Sequence, residues 1–146
     1  MKVKDILKTK GPEVITIWEE KSLQDGIDTM VQNKVGALMV INAGGKLTGI
    51  ITERDVLRAY HTHPDAAGSL AIKEIMTRNV IIGDAEDSID YVESVMTENR
   101  VRHLPILSDK RLIGIISIGD VVKASSKESK TENRYLKDYI EGKIPG

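Results

Sequence analysis

The sequence predicts a mixed fold, α/β in its alternation and α+β in its sheets: two β-α-β-β-α units related by a pseudo-two-fold axis and sharing one core. Three observations predict it. The chain repeats itself, each half alternates strand-length apolar runs with helix-spaced ones, and one half is too small to cover both faces of its strands. With a shift of 66, Val14 meets Val80, Ile15 meets Ile81, Ser22 meets Ser88, Met30 meets Met96, Asn33 meets Asn99, Val35 meets Val101 and Leu38 meets Leu104. After Ile41 the shift is 65, because the turn Asn42-Ala43-Gly44-Gly45 is one residue longer than Ser108-Asp109-Lys110. Turns tolerate such a difference. Beyond it Leu47 meets Leu112, Gly49 meets Gly114, Ile50 meets Ile115, Ile51 meets Ile116, Asp55 meets Asp120 and Val56 meets Val121.

Each element has its own signal. Val14 to Ile17 is a short strand, and Ser22-Leu23-Gln24-Asp25 is a capping box opening a helix with Leu23, Ile27, Met30 and Val31 on its buried face. Ala37 to Ile41 and Lys46 to Ile51 are apolar strands joined by a Gly-rich turn, a β-hairpin. Thr52 starts a second helix, with Val56, Leu57 and Tyr60 inward. The second half follows suit: strand Val80 to Ile82, helix Ser88 to Asn99 with Ile89, Val92, Val95 and Met96 inward, strands His103 to Leu107 and Arg111 to Ile116, then a helix from Ser117. The expected organisation is a first repeat with its N-terminal segment over 1–66, a second over 67–127, and a charged, amphipathic tail over 128–146. His61 to Gly68 is a connector by composition.

Composition removes several classes of function. Among 146 residues, 21 Lys and Arg against 22 Asp and Glu give a formal net charge of −1, so no global positive field draws the chain to nucleic acid or an anionic membrane. One Trp, four Tyr and no Phe are too few rings for a base-stacking platform. Without Cys there is no disulfide, thiolate metal site or thiol nucleophile. The first eight residues alternate charged and apolar side chains, unlike a signal peptide, and the longest apolar runs are strand-length. The expectation is a soluble, cytoplasmic protein.

The chemistry concentrates in Gly49-Ile50-Ile51-Thr52-Glu53-Arg54-Asp55 and its echo Gly114-Ile115-Ile116-Ser117-Ile118-Gly119-Asp120. Both read as a strand end, a hydroxyl, two residues and a carboxylate. A hydroxyl N-cap with an acid three places on satisfies two orphan N–H groups and complements the helix dipole. The same geometry suits a nucleotide. Free N–H groups at a helix start accept phosphate, and a carboxylate there accepts hydrogen bonds from ribose hydroxyls.

Two copies of Gly-aliphatic-aliphatic-Thr/Ser-x-x-Asp, each closing a β-α-β-β-α unit, with Val101-Arg102-His103-Leu104-Pro105-Ile106 ahead of the second, resemble a tandem pair of cystathionine-β-synthase (CBS) domains, a Bateman module. The resemblance covers about residues 3 to 126. It implies a stand-alone, non-catalytic regulatory module, commonly a flat homodimer, that senses AMP, ADP, ATP or NAD in the cleft between repeats, with S-adenosylmethionine ranked last. It implies no catalytic cofactor, no nucleic-acid or membrane partner, and a regulated protein that the sequence does not name. By the resemblance, Asp55 and Asp120 hold riboses, and Thr52 and Ser117 contact ribose or phosphate. Ile15 and Thr16, Ile81 and Ile82, Gly36 and Ala37, and Arg102 and His103 flank the adenine or phosphates. A phosphate chain needs cations, so Arg54, Arg102 and His103 are expected to converge across the cleft. Lys34 and Arg100 end helices, where a cation complements the dipole.

Other candidates are weaker. His61, His63 and Asp65 lie in a loop without a third firm metal ligand, no nucleophile elbow surrounds any Ser, and Gly44-Gly45-Lys46 is a hairpin turn, not a phosphate loop. The rival reading is a dimerisation scaffold without a physiological ligand.

Overall fold

The structure is a computed structural model and describes residues 1–11 and 14–126. The expected tail over 128–146 lies outside them. Twelve elements position the site: α1 (Val3–Lys10), β1 (Thr16–Trp18), α2 (Leu23–Asn33), β2 (Ala37–Ile41), β3 (Leu47–Thr52), α3 (Glu53–Thr62), α4 (Ile72–Ile75), β4 (Gly83–Asp84), α5 (Ile89–Asn99), β5 (His103–Ser108), β6 (Arg111–Ser117) and a helix α6 over 118–126. They build the expected α+β pair. One three-stranded sheet has the order β1-β2-β3, the other β4-β5-β6, each with a parallel pair followed by an antiparallel hairpin.

Several boundaries and faces differ from the expected ones. The first strand of each half begins later, at Thr16 and Gly83, so Val14, Ile15 and Val80 to Ile82 lead into the sheets instead of forming their edges. Val31, Leu57 and Tyr60, expected inward, are exposed, the first two by 71% and 72%. In α3 the inward face is Asp55 and Ala59, with Val56 packed beside it. The reason is geometric: Asp55 is tied down at the helix start, and that fixes which face α3 presents to the sheet.

The halves also exchange their leading helices. Val3 and Ile6 of α1 lie in the core of β4-β5-β6, with Val92, Met96, Leu104 and Ile116. Ile72 of α4 and the following Met76 lie in the core of β1-β2-β3, with Leu23, Leu38 and Ile51. Backbone bonds secure both swaps in matching ways. Val3 N donates to Asp87 O at 2.9 Å and Ile72 N to Lys21 O at 2.8 Å, while Lys2 bridges to Ser88 and Ala71 to Ser22. Each helix opens on an acid that accepts from the amide three places back, Lys2 N to Asp5 Oδ2 at 2.8 Å and Ala71 N to Glu74 Oε2 at 2.9 Å. Fully burying an aliphatic side chain such as Val3 or Ile72 stabilises by about 1.5–3 kcal/mol, so each half depends on the other for part of its core. A third cluster, Ala37, Met39 and Ile50 with Val14, Leu47, Val80, Leu112 and Ile115, joins the two sheets face to face.

Candidate functional site

Two strand-to-helix corners carry the repeated motif, and both cap their helix. Thr52 N donates to Asp55 Oδ2 at 2.9 Å and Ser117 N to Asp120 Oδ2 at 2.9 Å, and the hydroxyls accept from the aspartate amides in return. Each helix's first amide also bonds back to the residue before the second strand of its unit, Glu53 N to Gly36 O at 3.1 Å and Ile118 N to Arg102 O at 2.8 Å. The start of the hairpin and the start of the helix are thereby locked together.

What closes the corners differs. Asp55 is 6% exposed, the one buried charged residue among those described. Its Oδ2 accepts from Thr52 N and Oγ1, and its Oδ1 accepts from Thr77 Oγ1 at 3.0 Å. Thr77 is held against β3 by a two-way backbone bridge to Ile50. At the second corner a side chain stands where Thr77 stands at the first. Lys10 Nζ donates to Ile115 O at 2.9 Å and to Asp120 Oδ2 at 2.7 Å. Asp120 Oδ1 accepts no hydrogen bond from the described residues, and the side chain is only partly buried.

Burial would raise the Asp120 carboxyl, but the Lys10 ammonium and the Ser117 amide outweigh it and hold the group below the usual carboxylate range. His103, at the start of β5, is pushed down by burial and by the Lys10 charge, against the opposing pull of Glu53 and Asp120. It is therefore a neutral imidazole near pH 7, able to donate from one ring nitrogen and accept at the other. Glu53 belongs to the first half, so the corners share one electrostatic neighbourhood.

Other expected site residues fall into three groups. Arg54 and Arg102 line one cleft of about 440 Å³ with Arg100, over Thr97 and Ile118; His103, expected beside them, is not among its lining residues, and no carboxylate lines it among the described residues. Gly36 borders a separate cleft of about 390 Å³, where an added Cβ would meet Glu53 Oε1 at 3.2 Å, and Ala37 is buried between the sheets. Ile15 and Ile81 pack on the two cores. Thr16 and Ile82 line a third cleft at the hairpin ends, away from both corners. Sequence reasoning missed Thr77 and Lys10. Neither belongs to the repeated motif, and both arrive through the exchanged segments that end α1 and follow α4.

The comparisons agree with this architecture. The CBS domain family model matches residues 3–62 and 72–127. The chain is 36% identical over 96% of its length to a mitochondrial CBS domain-containing protein of Arabidopsis thaliana, of which it covers 72%. A CBS-domain containing protein of Agrobacterium tumefaciens superposes with a TM-score of 0.83 at 39% identity, covering 85% of this chain and 92% of that one. The CBS domain pair of protein MJ0100, crystallised with 5-methylthioadenosine and S-adenosyl-L-methionine, superposes with a TM-score of 0.77 at 27% identity, covering 88% and 98%. Several longer relatives are matched over two fifths of their length or less; in an inosine-5'-monophosphate dehydrogenase of Nitrosopumilus maritimus the match spans 24%.

Proposed function

The chain belongs to the CBS domain family as a tandem pair, and on that premise we propose that it is a regulatory, non-catalytic module that binds an adenosyl ligand at the Asp120 corner. The observation that carries the reading is an Oδ1 that accepts nothing from the described residues, on a carboxylate kept ionised beside Lys10, Ser117 and neutral His103. A ribose hydroxyl donates to that oxygen. Arg54, Arg100 and Arg102 supply cations for a phosphate chain, which favours AMP, ADP, ATP or NAD over S-adenosylmethionine. The MJ0100 pair supports an adenosyl ligand in general and leaves the phosphorylated class to this chain's own arginines. The Asp55 corner, with both oxygens engaged, opens only if Thr77 releases it. Ser117 completes the proposed contacts at the Asp120 corner, and Thr52, Gly36 and Ala37 those of the first; Thr16 and Ile82, in the hairpin-end cleft, and Ile15 and Ile81, packed on the cores, stand outside them. We also propose a homodimer and a cytoplasmic setting.

No nucleophile, base and orienting group stand together at either corner, which favours binding over turnover. The family match in the related enzymes covers only their CBS portion. Thermal unfolding of the full chain tests the reading. At about 100 times its dissociation constant a ligand stabilises the fold by about 2.7 kcal/mol, a shift of several degrees. Asp120→Ala is expected to abolish that shift while leaving the unliganded melting point within a few degrees. If none of the five adenosyl compounds moves the melting point at millimolar concentration, the sensor reading fails and the scaffold reading stands.

A further inference from the structure

A cleft larger than those at Gly36 and at Arg54 lies at the hairpin ends, and neither corner lines it. It measures about 800 Å³, within the size range of small-molecule sites. Lys46, Arg78, Lys110 and Arg111 line it, and no carboxylate does so among the described residues. Lys46 and Arg111 are equivalent positions of the two repeats, so the cleft straddles the pseudo-two-fold axis. Its floor is aliphatic, from the likewise equivalent pairs Val14 with Val80 and Leu47 with Leu112.

Two further features bear on what this cleft binds. None of the four cations makes an ion pair among the described residues, as is also true of Lys8, Lys21, Lys34 and Arg58. Lys110 also has φ 65°, after Asp109 at φ 50°, a left-handed pair of the kind that hairpin turns fill with Asn-Gly. The first hairpin meets its left-handed position with Gly45, at φ 76°. A side chain held in that conformation against its preference is a reason to look for what it binds. A smaller neighbouring cleft shares Ile82, Leu107 and Lys110 with this one and carries Asp84, Asp87 and Asp109.

We propose that the hairpin-end cleft binds a small organic phosphate, its anionic group held by Lys46, Lys110, Arg111 and Arg78 and its apolar body on the aliphatic floor. Point charges from two lysines and planar forks from two arginines match phosphate oxygens. The floor accounts for an organic ligand in preference to the bare anion.

The test is amide NMR on the whole chain at an ionic strength of about 0.15 M, titrated separately with phenyl phosphate and inorganic phosphate. Saturating shifts are expected at residues 44–48 and 109–112, with phenyl phosphate binding about tenfold more tightly because its ring covers the floor. Lys110→Gly relieves the left-handed backbone, so its melting point is expected to hold or rise while affinity falls about tenfold. The double variant Lys46→Gln with Arg111→Gln is expected to lose binding with the turn conformation unchanged. Shifts that do not saturate, that spread to Lys4 and Lys21, that centre on residues 52–55 or 117–120, or that survive in both variants overturn the proposal. Loss of adenosyl binding at the corners leaves it untouched, since the two sites report on different amides.

Discussion

Asp55 and Asp120 occupy one motif position, yet one is a buried structural acceptor and the other a partly open, ion-paired carboxylate. Their hydrogen-bond partners, Thr77 and Lys10, make the difference, and residue type at the motif does not reveal it. The same neighbourhood gives His103 a pH signature. Its folded value lies below the ordinary histidine value of about 6.5. As pH falls through about 6.5, the unfolded chain takes up the proton before the folded one does, so stability is lost on the way down to the folded value. Asp120, also depressed, acts lower: its contribution is complete above an unfolded carboxylate value near 3.9 and disappears only below it. Stability from urea unfolding is therefore expected to decline from pH 7 to pH 5 in the wild type and to be flatter in His103→Asn. An equal slope in the two proteins would show that burial of His103 does not couple to folding.

At the scale of elements, the sequence made the duplicated strands, the hairpins and both capping corners readable, because their signals are local: apolar alternation, Gly-rich turns, a hydroxyl followed by an acid. The exchanged helices were not readable. α1 and α4 are short and open on Lys2 and Ala71, which lack the capping hydroxyl, and they align with a shift of 69, outside the register of the other elements. Their crossing over is a tertiary fact that no local pattern carries. Two glycines mark where they cross. The three atoms nearest a Cβ on Gly114 all belong to the movable end of Leu7, the closest being Cδ2 at 2.6 Å. A Cβ on Gly49 would meet Met76 Sδ at 2.7 Å and the backbone carbonyl of Thr77 at 2.8 Å. Overpacking costs about 1–3 kcal/mol where neighbours cannot give way. Gly49→Ala is thus expected at the upper end of that range and Gly114→Ala well below it, measured as midpoint shifts in urea; the reverse order would mean that α1 is the more firmly seated helix. Because Thr77 also holds Asp55, Gly49→Ala should loosen the first corner as well.

For the whole molecule, the misassigned faces are informative. Val31 and Leu57 were expected to be inward, and both, like Val122, are more than half exposed on an outer helix. Leu57 and Val122 are equivalent positions of the two repeats, one and a half turns into the helices that start at the two corners. A single sequence cannot tell such a stripe from a core-facing one, because burial inside the fold and burial against a second copy select the same residues. In the proposed homodimer, pairing through these helices would place the corner caps and the subunit interface on the same rigid elements. A ligand that binds one arrangement of the pair more tightly would then shift the population toward it, and one that binds both equally would shift nothing. Leu57→Glu separates these roles. The wild type is expected to sediment at twice the 16.1 kDa chain mass and the variant at the chain mass. Its melting point should fall by no more than the dimer contributed, since Leu57 is 72% exposed in the single chain. If the variant remains a dimer, the pairing runs through another surface. If it is monomeric and still binds the adenosyl ligand with unchanged affinity, the corners and the interface are not coupled and α3 transmits nothing between them.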